Sequence, residues 1–122
     1  MGLHANASFW QAVKHAVNGI WHTLRNERNL KIHALATVAV MIAGVVYRIT
    51  TLEWAIILLC VGGVWAAELL NTAIEAAVDL AIGDTLHPLA KIAKDAAAGA
   101  VLVLSLVASI VGMLIFVPYI LR

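Results

Sequence analysis

The chain has 122 residues, of which 63% are hydrophobic and 12% charged, with a net charge of +1 and a mean hydropathy of +0.95. That balance lies well beyond the roughly half-apolar composition of soluble domains and is that of an integral membrane protein. The net charge by itself is uninformative, neither a basic tail nor a basic–aromatic alternation suggests nucleic acid as a partner, and the lone Cys60 admits no intrachain disulfide and reads as packing.

Nothing before Phe9 resembles the apolar region of a signal peptide, so the first spanning helix is expected to direct insertion. From Phe9 to Leu24 the residues Trp10, Val13, Val17, Ile20, Trp21 and Leu24 recur at three- and four-residue steps, with Gln11, Lys14, Asn18, His22 and Arg25 on the other side. This pattern predicts an amphipathic surface helix over about residues 8–25. Three apolar segments follow, at about 30–47, 52–80 and 93–120, each long enough to span a bilayer. They are linked by Arg48 to Thr51 and by Ala81 to Ala90, where Gly83-Asp84 and His87-Pro88 are turn and breaker signals. The expectation is a single all-α membrane domain, 1–122, too small to enclose a large site alone and therefore oligomeric. Lys14, Arg25, Arg28, Lys31, Lys91 and Lys94 fall on one side of this topology and Arg48 and Arg122 on the other. The positive-inside rule then places the N-terminus and the second link in the cytoplasm.

The second span ends in the stripe Glu68, Asn71, Glu75 and Asp79. At about 100° per residue these four side chains fall within an arc of roughly 80° on one helix face. A carboxylate within the bilayer costs about 2.5–3.5 kcal/mol to insert, and such residues mark substrate, ion or proton sites. A lone Glu68 reads equally well as a neutral buried acid bonded to another helix; with Asn71, Glu75 and Asp79 on its face, the site reading prevails. Three segments converge at this boundary: Asn26-Glu27-Arg28-Asn29, the stripe itself, and Lys91-Ile92-Ala93-Lys94-Asp95. Lys91, Lys94, Asp95 and Ala98 share a helix face, so two cations and a carboxylate can turn toward the stripe. Carboxylates from two elements with nearby lysines suit a magnesium-bound polyphosphate, because Mg²⁺ takes one or two protein carboxylates plus phosphate oxygens and water. A separate carboxylate placed toward the lipid can accept a proton from an alcohol.

Taken singly, Glu27 reads as an interfacial charge, and Arg28 and Lys31 as headgroup anchors. His33 reads as a helix-end histidine near the headgroups and His87 as a loop residue, while His4, His15 and His22 form no metal-ligand spacing. The small residues Gly62-Gly63, Ala73, Ala76, Ala77 and Ala96 to Ala100 read as close helix packing. There is no G-x-x-x-x-G-K-[ST] loop, no kinase catalytic signature and no paired-cysteine metal site. A proton-coupled transporter, with Glu68 as the shared site, competes with a kinase reading but leaves Glu27, Lys94 and Asp95 without a role. A purely structural membrane subunit leaves the whole stripe without one.

Asn26-Glu27, Glu68-Leu-Leu-Asn71-Thr-Ala-Ile-Glu75-Ala-Ala-Val-Asp79, and His87-Pro-Leu-Ala-Lys91-Ile-Ala-Lys94-Asp95-Ala-Ala-Ala-Gly99-Ala-Val closely resemble the small bacterial diacylglycerol kinase and undecaprenol kinase family over nearly the whole chain. The resemblance implies a homotrimer with composite active sites, ATP entering from the cytoplasm and a lipid alcohol from the bilayer of the bacterial inner or plasma membrane. It implies Glu68 as catalytic base toward the lipid hydroxyl, Glu27 and Glu75 as carboxylates holding Mg²⁺ with ATP, and Lys94 and Asp95 as nucleotide-binding residues. Thr85, Leu86 and His87 would contact the nucleotide, and Asn71 and Asp79 would support the site. The lipid would lie against the surface helix and the first span, near Glu68 and Ala98, with Lys31 and Trp54 as further contacts. At His33 the best-known diacylglycerol kinase has a glutamate, and Glu27-Arg-Asn-Leu-Lys-Ile-His33 looks instead like the Gram-positive undecaprenol kinase type. The expected activity is ATP-dependent phosphorylation of undecaprenol, with diacylglycerol as the alternative.

Overall fold

The computed structural model describes residues 8–122, which form four α-helices: α1 Phe9–Asn26, α2 Arg28–Tyr47, α3 Thr51–Ile82 and α4 Pro88–Ile120. His4 lies outside the described residues. The last three helices are each long and apolar enough to cross a membrane, so the chain is a multi-pass membrane protein.

Local chemistry sets the boundaries. Ser8 caps α1 and Thr50 caps α3, each with a capping box in which the side chain accepts the backbone N–H three residues on while that residue's side-chain oxygen, on Gln11 or Glu53, accepts the cap's own N–H. One residue, Glu27, separates α1 from α2; its extended backbone breaks the helix while its N–H still donates to the Thr23 carbonyl at 2.8 Å. α3 stops at Gly83, whose φ of 57° and ψ of −128° suit glycine alone. The expected link from Ala81 to Ala90 is shorter in the structure, because Pro88 opens α4 rather than blocking it. At the first helical position proline's missing N–H is no loss, and His87 caps the helix by accepting the Leu89 N–H on Nδ1 at 3.1 Å.

α3 is the central element. It packs most extensively on α4, and more lightly on α2 and α1. Its 32 residues extend about 48 Å at 1.5 Å per residue, against a hydrocarbon layer of about 30 Å. Glu68 stands about 25 Å from the start of α3, Glu75 about 36 Å and Asp79 about 42 Å. The tightest packing lies at the opposite end, where Ile49, Ile57 and Ile115 are buried and Trp54, Val61, Phe116 and Tyr119 surround them. There α2 approaches α3 at Gly44, where an added Cβ would lie 2.5 Å from the Trp54 ring. Most other large apolar side chains face outward, as the bilayer requires.

Candidate active site

Glu68 is 2% exposed. His33, six residues into α2, brings Nε2 to 3.3 Å from Glu68 Oε1. The approach is not aligned for a hydrogen bond, and Oε1 is buried without a partner. Expected as a helix-end histidine near the headgroups, His33 stands about one and a half turns inside α2 and is turned to the helix that carries the acidic stripe. Contacts one turn deeper hold it there. The Trp65 indole donates to the Thr37 hydroxyl at 2.9 Å, and that hydroxyl donates to the His33 carbonyl at 2.7 Å.

One turn past Glu68, Asn71 is buried and gives its Nδ2 to Glu75 Oε1 at 3.3 Å, which leaves Oδ1 buried and unpartnered. Among the described residues three buried side-chain oxygens lack a partner; apart from Ser105 Oγ on α4 they are those of Glu68 and Asn71, which occur together on one face of α3. A buried acceptor left unsatisfied costs about 1–3 kcal/mol, so a pair of them marks a place built for something other than stability. Glu75 is half-buried and Asp79 exposed. Glu27 is half-buried at the α1–α2 corner, where it starts α2 without making a side-chain cap, so its carboxylate stays available at a helix N-terminus.

The second lysine of α4 reaches the stripe and the first does not. Lys94 Nζ meets Asp79 Oδ1 at 2.5 Å across the helix boundary. Lys91 instead pairs with Asp95 at 2.5 Å along α4, both side chains well exposed. The shared face of Lys91, Lys94 and Asp95 thus sends one cation to α3, while the other two charges neutralise each other. Thr85, Leu86, His87 and Ala98 are exposed, as is Lys31. Trp54 is not brought near Glu68: it lies fourteen residues earlier on α3, about 21 Å along the axis, packed on Gly44.

An apolar groove of about 450 Å³ runs between α2 and α4 over α3, from His33, Thr37 and Trp65 at the Glu68 end to Phe116 and Ile120 at the other. Cys60 lines its wall. This groove was not legible in the sequence, because it depends on how far α2 and α4 stand apart. Among the described residues no three His, Cys, Asp or Glu side chains converge on a point that could hold a metal ion. Glu27 and Glu75 are the two half-buried carboxylates at this boundary, and a magnesium ion carried on phosphate oxygens needs only one or two protein carboxylates.

Residues 14–116 match the family described as prokaryotic diacylglycerol kinase. An undecaprenol kinase of Bacillus subtilis is 54% identical over 110 residues, covering 90% of this chain and 89% of that protein. A diacylglycerol kinase of Synechocystis sp. is 41% identical over 105 residues, 86% of this chain and 60% of that protein.

Proposed function

The chain belongs to the prokaryotic diacylglycerol kinase family and is a lipid kinase, and from that premise we propose that it phosphorylates undecaprenol with ATP. The observation that carries the chemistry is the buried Glu68, with its orphaned oxygen beside that of Asn71 on one face of α3. The likeness to an undecaprenol kinase over nine-tenths of the chain favours the polyprenol. Diacylglycerol is the second reading, on the likeness to a diacylglycerol kinase; a transporter has no support among these relatives.

Glu68 accepts the proton of the lipid hydroxyl as that oxygen bonds to the γ-phosphorus; the bond from that phosphorus to the bridging oxygen breaks and ADP leaves. Transfer is in line, with no phosphoenzyme, and depends on positioning and charge neutralisation. Glu27 and Glu75 would hold Mg²⁺ with ATP, supplying charge neutralisation at the phosphates. Lys94, now on Asp79, turns to the phosphates, and Asp95 with the loop Thr85, Leu86 and His87 contacts the rest of the nucleotide. Asn71 keeps Glu75 in place through its amide. The lipid would lie against α1, α2, Ala98 and Lys31, with Trp54 reached only by its tail.

In this reading α1 lies on the membrane surface, since Phe9, Trp10, Val17, Ile20 and Trp21 are all exposed and need a covering that water does not give. The excess of lysine and arginine at the α1–α2 corner and the start of α4 supports a cytoplasmic N-terminus and active site. A homotrimer, with sites completed by neighbouring subunits, would cover the helix faces that one chain leaves bare.

Undecaprenol and diacylglycerol offered together in the same micelles with labelled ATP test the proposal. Undecaprenyl phosphate is expected as the main product. A preference for diacylglycerol overturns the substrate assignment, and phosphorylation of neither lipid overturns the kinase mechanism set out above.

A further inference from the structure

His33 stands between the apolar groove and Glu68. It lines the apolar groove, which Glu68 does not, and among the described residues it is the one basic side chain within 4 Å of Glu68. Its place is set by two contacts between the antiparallel helices α2 and α3, one turn apart. The Trp65–Thr37 hydrogen bond, passed on to the His33 carbonyl, fixes the register, and His33–Glu68 follows where that register carries it. The Glu68 side chain is 3% exposed and that of His33 23%, so water is a poor substitute for a missing donor on the inner carboxylate oxygen.

We propose that His33 is a positioning residue for Glu68: its Nε2–H takes one lone pair of the buried Oε1 and so leaves Oε2 free for the lipid hydroxyl. The 3.3 Å approach is within donor–acceptor reach, so rotation of the imidazole can align it into a hydrogen bond. When Oε2 takes the hydroxyl proton, Oε1 becomes the carbonyl oxygen of the neutral acid and still accepts from His33. The imidazole gives up no proton, and the reaction balances as written above. The inference rests on the reading of Glu68 as the base.

The test is steady-state kinetics of full-length protein in mixed micelles, with undecaprenol and ATP, for wild type, His33→Ala, His33→Gln, Glu68→Gln and the His33→Ala/Glu68→Gln double variant. His33→Ala should lower kcat about thirtyfold with KM for ATP unchanged, and His33→Gln, whose amide N–H can replace the imidazole donor, should recover about tenfold of that loss. In the Glu68→Gln background His33→Ala should change the residual rate by less than about twofold, because the two residues act as one unit. Near-normal kcat in His33→Ala, equal loss in His33→Ala and His33→Gln, a weakened ATP KM, or multiplied losses in the double variant would each overturn the inference. If His33→Ala is active and Glu68→Gln is not, the role of Glu68 stands and that of His33 falls. If Glu68→Gln is active, the role of Glu68 falls and that of His33 with it.

Discussion

At the end where α2 turns into α3, polar groups are paired and apolar ones interlock. Thr50 and Glu53 cap each other, the Tyr119 hydroxyl closes onto Glu53, Arg122 stacks over Tyr119, and Trp54 fills the space that Gly44 leaves. At the other end, Glu68 and Asn71 each bury an oxygen with no partner, Glu27 starts a helix without capping it, and Lys94 meets Asp79 in a largely solvated pair. Both ends belong to the same three helices and the same solvent problem. The first spends its polar groups on holding the helices in register, and the second leaves them poorly satisfied, which is how a binding or catalytic surface differs from a structural one. Substitutions at the two ends should therefore separate activity from stability.

The largest effect is expected from Glu68→Gln, which keeps shape and hydrogen-bonding capacity but removes the proposed base. Turnover should fall about 10²–10⁴-fold with KM for ATP and thermal unfolding in detergent little changed. Near-normal turnover would place Glu68 with the structural residues and erase the contrast between the two ends.

Next comes the pair of lysines on α4, which the fold treats differently. Lys94→Met should weaken ATP binding about tenfold or more, since it removes a cation placed across from α3. Lys91→Met should change it by less than about twofold, because Lys91 is committed to an exposed pair within its own helix. Equal effects of the two, measured as KM for ATP, would show that the nucleotide does not distinguish the cross-helix cation from the surface one.

Those lysines also show what a linear sequence can and cannot convey. The three spans were legible because bilayer thickness demands about 20 apolar residues, and the acidic stripe because helical periodicity depends only on spacing. Which lysine would reach the stripe depends on the rotation of α4 about its own axis, and spacing within α4 does not contain that rotation. His33 and Glu68 are on different helices, so their approach was hidden until the Trp65–Thr37 contact set the register between α2 and α3. The one signal was indirect: His33 stands where the best-known diacylglycerol kinase carries an acid. The start of α4 was misplaced for a different reason. Apolar content rises only after Lys91, but the proline and the capping histidine open the helix at Pro88.

At the well-paired end the effect should fall on stability. Gly44→Ala places a methyl 2.5 Å from the Trp54 ring, and either the ring or α2 has to shift. Overpacking of this kind costs about 1–3 kcal/mol. The expected result is a lower unfolding midpoint in detergent with kcat per folded molecule unchanged, because Gly44 is remote from Glu68. A kcat that falls while the midpoint holds would mean that the two ends are coupled along α2.

The smallest effect, and the sharpest test of how local the paired end is, belongs to Arg48. It ends α2 in the left-handed region with φ 54° and ψ 52°, its backbone N–H donating to carbonyls of the last turn. For a side chain with a Cβ that conformation costs about 1–2 kcal/mol, which glycine avoids. Glycine in turn loses about 0.5–1 kcal/mol through the greater freedom of its unfolded chain. Arg48→Gly should therefore raise the unfolding midpoint slightly or leave it where it is, and activity should not move. A clear fall in the midpoint would mean that the arginine side chain itself holds the α2–α3 corner at the membrane surface, and that this end relies on a charge where its geometry points to a backbone cap.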